Sequence, residues 1–399
     1  MRSTGQPWRS SPRAAATRSR ATARYPGAPR NTAAALTAAT YSAPPPPSLT
    51  GETLMVPLSV DAWQPPSPAA SPIIGYPVAG ESSSEPPKEA VRWWAVRQGI
   101  LDTMFEGFQH EVIDVGVTTI AVRSGGAGAP VLLLHGFPET HVMWHRMAPA
   151  LAEDFAVVCP DLRGYGASGT PPSTPDHAPY AKSAMAADMV ALMQRLGFER
   201  FSVVGHDRGG RVAYRLALDH TTRVEKLAVL DVIPTGEALD RADARLALAY
   251  WPWSLLAQPE PLPEQLIAAG PEVFVDAALD GWGSDPEAFP DEIRGLYIDA
   301  LRDPATAHAI CEEYRAAATL DYEADRCDRV AGRQVEAPTL VLWAAPGPLD
   351  CWYQDAAGPL GIWRAWAPDV AGHSLSGGHF FPEANPEGTL GALRAFLQS

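Results

Sequence analysis

Three residues in this 399-residue chain have the types and setting for a two-step displacement: Asp207, Asp231 and His379. Asp207 sits in Gly205-His206-Asp207-Arg208-Gly209-Gly210-Arg211, directly after the apolar run Phe201 to Val204 and before a helical pattern that reaches Leu218. Gly-x-Asp-x-Gly between a strand and a helix forms a sharp turn that lifts one side chain at a strand end, where a serine hydrolase would carry serine. An aspartate there also caps a helix, a common use of the residue. The helix dipole, Arg208 and Arg211 all favour its ionised form. An ionised carboxylate can attack an sp3 carbon and form an ester, which an activated water must then cleave.

Hydrolysis of that ester needs a base near neutral pH, and His379 in Gly377-Gly378-His379-Phe380-Phe381-Pro382 follows a short final strand pattern. The base needs an acid to fix its tautomer. Two aspartates qualify on position: Asp231, after the strand that follows the elbow, and Asp350, in an expected turn at 347–350. The turn His135-Gly136-Phe137-Pro138-Glu139 ends another apolar strand, so the backbone N–H of Phe137, with that of Arg208, is the expected oxyanion binder. No CxxC or His spacing suggests a metal, and no cofactor is expected.

The elements that must position these groups alternate. Runs at 110–115 and 118–123 read as a hairpin around Gly116; 131–134 reads as a buried parallel strand, and 155–158, 201–204, 226–230, 338–343 and the short 370–374 read as further strands. Helical periodicity fills 180–196, 358–366 and 386–397. Alternation of this kind predicts an α/β fold with a mostly parallel, doubly wound sheet. From 234 to about 330 the strand rhythm stops and Pro-broken helices are expected at 237–250, 263–269, 271–279, 290–301 and 306–318. The expected division is therefore a leader (1–103), a first core part (104–233), a helical cap after the strand ending at Asp231 (234–330) and a second core part (331–399).

Composition bounds the rest. The first fifty residues hold seven Arg and no Asp or Glu, and the Pro- and Ser-rich character persists to about residue 103. Such a leader reads equally as a transit peptide or as an upstream extension with Met104 as the true start. The expected location is cytoplasmic, or an organelle if 1–50 is a transit peptide. Residues 91–104 form a short helical pattern able to dock on the body. The formal net charge is −15 and the body is more acidic still, which argues against nucleic acid and anionic membranes as partners. No apolar run is long enough for a membrane span. Cys159, Cys311, Cys327 and Cys351 are scattered, as expected for free, mostly buried thiols.

From Met104 onward the chain resembles the haloacetate (fluoroacetate) dehalogenases of the α/β-hydrolase superfamily. The resemblance is carried by Phe137-Pro138-Glu139-Thr140-His141, by the His206-Asp207-Arg208-Gly209-Gly210-Arg211 elbow, by Leu230-Asp231-Val232-Ile233-Pro234, by Glu312-Glu313-Tyr314-Arg315 and by Gly378-His379-Phe380-Phe381-Pro382-Glu383. It implies dehalogenation of short 2-haloacids, with Asp207 as nucleophile, His379 as base and Asp231 as its partner. It implies further that Arg208 and Arg211 grip the substrate carboxylate, a suitable task for guanidinium forks. Family members hold the leaving halide with a His-Trp pair and a Tyr on the lid. Trp253 and Tyr314 match two of these, while the His position falls on Pro252, which has no donor. That departure shifts the expectation from fluoroacetate toward other haloacetates. Trp251 and Trp282 are weaker pocket candidates. Related enzymes are often dimers, and the sequence leaves a homodimer and other oligomeric states open. The competing readings are an epoxide hydrolase using Tyr314 with Tyr250 or Tyr297, and a non-catalytic ligand-binding protein of the same fold; a serine esterase is disfavoured by the elbow itself.

Overall fold

The computed structural model describes residues 99–399. Most of the expected leader, and residues 91–98 of the short helical pattern, lie outside them. Residues 99–104 are helical and bury Leu101.

Eight strands form one sheet in the order β1-β2-β4-β3-β5-β6-β7-β8. β1 (Gln109–Asp114) and β2 (Thr119–Gly125) make the hairpin around Gly116, and β2 pairs antiparallel with β4 (Phe155–Pro160). All the other pairings are parallel, through β3 (Ala129–Leu134), β5 (Phe201–His206), β6 (Val224–Leu230), β7 (Thr339–Ala344) and β8 (Val370–Leu375).

The central strands read as continuous apolar runs because both faces are covered. Along β3, Leu132 and Leu134 enter one core layer while Val131 and Leu133 enter the other; Val203 and Val204 of β5 divide in the same way. Each such side chain taken from water contributes about 1.5–3 kcal/mol. Parallel register then levels the carboxyl ends. His206 stands opposite Leu230, and Leu230 opposite Leu342, so the residues after β5 and β6 emerge side by side.

Between β6 and β7 the described chain is helical, and the pattern is more broken than the sequence predicts. The expected helix at 237–250 is two, Thr235–Asp240 and Ala244–Ala249. Asp243 separates them: its carboxylate accepts from the Arg245 and Leu246 amides and starts a new helix. The short Pro252–Leu255 helix and the Tyr322–Ala331 helix, joined to Pro304–Ala316 through a wider turn at Ala317–Asp321, lie outside the predicted set. Beyond β7, the expected turn at 347–350 is the start of a helix, Pro348–Trp352. Two of the four thiols, Cys327 and Cys351, are exposed rather than buried; all four are free. No described helix is long and apolar enough to cross a membrane.

Candidate active site

Asp207 opens the helix Asp207–Asp219 with a left-handed φ of 42°, and Asp231 follows β6 with φ 53°. Such backbone conformations cost about 1–3 kcal/mol each and persist where the surroundings impose them. The packing at the elbow shows how. A Cβ on Gly209 would lie 2.4 Å from the His135 carbonyl oxygen, and one on Gly136 would lie 2.6 Å from Asp207 Cβ. Only glycines allow β3, β5 and the elbow helix to approach this closely.

That approach brings the Phe137 amide to Asp207, where it donates to Oδ2 at 3.0 Å. No bond from the Arg208 amide to the same carboxylate is seen among the described residues. Asp207 is 7% exposed. Burial pushes its carboxyl up, but the charges of His379, Arg208, His206 and Arg211 more than offset this, and the net direction is down. The group is held as the anion.

The structure brings His379 to Asp231, not to Asp350. His379 Nδ1 donates to Asp231 Oδ2 at 2.7 Å, while Asp231 Oδ1 accepts from the Ala344 amide at 2.8 Å. Since a carboxylate only accepts, Nδ1 carries a proton, and in the neutral form of the ring the lone pair falls on Nε2. Nε2 is buried and has no partner. Asp350, within its helix, takes the Trp343 indole N–H at 3.2 Å.

Asp207, Asp231 and His379 line a single cavity of about 30 Å³, together with Arg211, Tyr250 and Trp253. A buried water needs roughly 10–15 Å³ by the same kind of measure, so the space suits only a very small ligand. Its apolar wall includes Val232, Ile233 and Leu246.

The two arginines differ in their surroundings. Arg208 is fully buried and its Nε donates to both oxygens of Glu313, each at 2.9 Å, with Nη2 bonded to the same carboxylate. Glu313 is in turn held by Lys182 Nζ and by the Tyr165 hydroxyl at 3.2 Å. Arg208 is therefore largely committed to an ion pair, with only Nη1 left without a partner. Arg211 lines the cavity; its Nη1 donates to the Ile233 carbonyl at 2.9 Å and to Thr235 Oγ1 at 3.3 Å, and its Nε is unpartnered.

Trp253 covers both guanidiniums, 4.4 Å from that of Arg211 and 5.4 Å from that of Arg208. Tyr314 stacks on Arg208 at 4.1 Å, packs edge-on against Phe137 and is not part of the cavity wall. Pro252 is buried at the head of its short helix. Trp251 packs on Phe137 and Phe274; Trp282 packs on His379 and donates its indole N–H to the Ala249 carbonyl. Both help to cover the site without lining the cavity. Tyr297, named for the epoxide reading, is elsewhere engaged: its hydroxyl donates to Glu383 at 3.0 Å.

Sequence reasoning underrated Tyr250. Its hydroxyl is buried, unpartnered and in the cavity wall, with its ring 5.8 Å from that of His379. Buried polar groups without partners are uncommon. Here Arg208 Nη1, Arg211 Nε, Tyr250 Oη and His379 Nε2 are left open in one neighbourhood. Three are donors and the fourth is a base, a set suited to an anion and a water.

Comparison with known proteins agrees with this architecture. The profile of the α/β hydrolase fold family matches residues 129–379. A fluoroacetate dehalogenase from Burkholderia sp is 47% identical over 298 residues, 74% of this chain and 95% of that protein. The chain belongs to the haloacetate dehalogenase-like family of the α/β hydrolases. This hydrolase also matches a soluble epoxide hydrolase from Corynebacterium sp. (strain C12), 44% identical over 28% of this chain and 37% of the relative. Among solved structures, ALR0039 from Nostoc sp PCC 7120, a proposed α/β hydrolase, has 48% identity and a TM-score of 0.70, over 73% of this chain and 99% of its own. A mutant of a proposed epoxide hydrolase from Pseudomonas aeruginosa, with bound MFA, has 43% identity and a TM-score of 0.68, over 73% and 96%.

Proposed function

We propose that this hydrolase removes halide from short 2-haloacids by way of an ester on Asp207. Oδ1, the carboxylate oxygen not held by Phe137, attacks the α-carbon, and the carbon–halogen bond breaks with its electron pair leaving on the halide. His379 Nε2 then takes a proton from water, and the hydroxide adds to the ester carbonyl carbon. The Phe137 N–H stabilises the oxyanion. Asp231 stabilises the imidazolium until collapse breaks the ester C–O bond; the leaving alkoxide then takes the proton from His379 Nε2 and departs as the 2-hydroxy acid, and Asp207 releases the proton of the added hydroxide to solvent and returns to the anion. The observation that carries this reading is the pairing of an anionic Asp207 with the Arg211 guanidinium, whose Nε has no partner, in the lining of so small a cavity. A neutral substrate would have no use for that guanidinium. The dehalogenase named among the relatives supports the same chemistry. A halide-release screen over fluoro-, chloro- and bromoacetate, with a small epoxide as control, tests it. Release from none of the three would remove the assignment.

Arg211 carries the carboxylate in this reading, with Arg208 Nη1 as the second donor. Arg211→Ala is expected to raise KM for haloacetates about 10-fold or more, the scale of one charge-assisted hydrogen bond. A neutral haloalkane would be little affected. Steady-state kinetics on both substrate types check this, and equal effects would refute the clamp.

With proline at 252, we assign the lid's halide donors to the Trp253 indole and the Tyr250 hydroxyl. Fluoride departs poorly without hydrogen bonds, whereas bromide leaves readily. Tyr250→Phe is therefore expected to lower kcat for fluoroacetate about 10-fold while changing bromoacetate by less than about 3-fold. Parallel halide assays on the two substrates check it.

The epoxide hydrolase reading is favoured by one specific feature, the same open Tyr250 hydroxyl, which could protonate an epoxide oxygen. Diol formation in the control reaction, lost in Tyr250→Phe, would identify it.

A further inference from the structure

His206, one residue before Asp207, has no part in the steps described so far, yet it is completely buried and fully bonded. Its Nδ1 lies 3.0 Å from Glu139 Oε2, and its Nε2 lies 2.9 Å from the main-chain oxygen of His379. A carboxylate and a peptide carbonyl both accept hydrogen bonds and neither donates one. Both ring nitrogens must therefore carry a proton, and the ring is an imidazolium.

The counter-charge and its support are buried as well. Glu139 is 0% exposed and also accepts from the Gly136 amide at 3.4 Å, bracing the turn whose Phe137 amide binds Asp207. Behind it, Glu383 is equally buried and accepts from the Tyr297 hydroxyl. Glu139 Oε1 and Glu383 Oε2 both lack a donor. Two neighbouring buried carboxylates cannot both be ionised. Burial, and then the Glu139 charge, push Glu383 well up, so Glu383 holds the proton that joins the two. Glu139 Oε2 faces His206. Burial favours the neutral ring of His206, but Glu139 more than offsets this and raises its pKa to about 9.

We propose that His206 is a positioning residue of the reaction, an imidazolium strut that ties the His379 main chain, the elbow and the Gly136–Phe137 turn together through Glu139 and sets a fixed positive charge behind Asp207. Three segments far apart in sequence meet on this one ring. The His206 and His379 rings are 4.8 Å apart, so movement of the strut would move the base. The groups acting on Asp207 are His379, Arg208, His206 and Arg211, with the Tyr165, Tyr250 and Tyr314 hydroxyls nearby; those acting on His206 are Glu139, Asp207 and the His379 carbonyl. The proposal rests on the reading of Asp207 and His379 given above, but the ring's protonation can be measured without any turnover.

The test is NMR of the full chain labelled with 15N-histidine, with His206→Gln for assignment and Glu139→Gln as the second variant. Glu139→Gln keeps an acceptor for Nδ1 and removes only the charge. In the wild type, the His206 ring is expected to show two protonated nitrogens throughout about pH 6 to 8, the range in which ordinary histidines titrate. In Glu139→Gln it is expected to lose one proton within that range. If His206→Gln does not fold, the disappearance of that non-titrating ring in Glu139→Gln makes the assignment. A bare ring nitrogen at neutral pH in the wild type overturns the proposal, whatever the halide assay gives.

The kinetic arm reads the first halide burst in single turnover, which needs Asp207 ionised but does not need His379 as a base. Loss of the neighbouring cation raises the pKa of Asp207. The acid limb of the burst is therefore expected to move to higher pH in His206→Gln, whose side chain is neutral at every pH, by up to about one unit. A strut that only filled space would leave that limb in place, and an unmoved limb in folded His206→Gln also overturns the proposal. If the wild type releases no halide, the dehalogenase reading fails, while the NMR result still decides the charge of His206.

Discussion

His379→Asn is expected to release one equivalent of halide per protein and then stop. The two half-reactions use different atoms. Displacement of halide needs only Asp207 Oδ1, and Asp207 is held ionised by neighbours that include two arginines as well as His379. Hydrolysis needs the lone pair on His379 Nε2, which the bond from Nδ1 to Asp231 at 2.7 Å leaves open. Asparagine can still donate to Asp231, so the buried carboxylate keeps a partner, but it has no basic nitrogen. A general base contributes about 10²–10⁴-fold, enough for the ester to accumulate when the base is gone. Intact-protein mass spectrometry after exposure to chloroacetate should show one carboxymethyl adduct, and digestion should locate it on Asp207. Multiple turnovers with no adduct would refute the ester route.

How far the sequence reveals this site depends on what kind of contact defines each part. The strands are legible because a parallel sheet covered on both faces demands unbroken apolar runs, as in Phe201 to Val204. The elbow is legible because Gly205 and Gly209 mark close backbone approach. The choice between Asp231 and Asp350 is a different matter. Both follow a strand, and only register separates them. The Asp231 amide bonds the Leu342 carbonyl at 2.8 Å and its positive φ turns the carboxylate toward the β8 loop, whereas Pro348 starts a helix that carries Asp350 to Trp343.

Arg208 illustrates what a linear reading misses. Two arginines one turn apart look equivalent, but Glu313, 105 residues away, takes most of one of them. Of two adjacent glutamates, Glu312 turns to Arg315 and His177 and Glu313 to Arg208, and nothing local distinguishes them. Tyr250 was visible only as one of several lid tyrosines. Its importance lies in a missing partner, and a missing partner is a property of three-dimensional packing. The same holds for His206, whose protonation follows from two acceptors supplied by segments near residues 139 and 379.

Asp207→Asn should separate binding from chemistry more sharply than any other change. The amide is nearly the same size and can still accept the Phe137 N–H through its oxygen, so the elbow and its left-handed backbone need not change; asparagine tolerates that conformation well. Turnover is expected to fall by at least about 10³-fold, since a neutral amide oxygen does not displace halide and no other carboxylate in the cavity is free: Asp231 is bonded to His379 and the Ala344 amide. Binding should move the other way. In the wild type the substrate's carboxylate shares Arg208 and Arg211 with the Asp207 anion; in the variant that competing negative charge is gone. The dissociation constant for chloroacetate, from calorimetry or fluorescence of the cavity tryptophan Trp253, is therefore expected to stay the same or tighten, and to tighten most at low salt, where charge interactions are least screened. If binding weakened in step with turnover, Asp207 would be holding the substrate rather than attacking it, and the cavity would be a ligand site without the chemistry assigned to it.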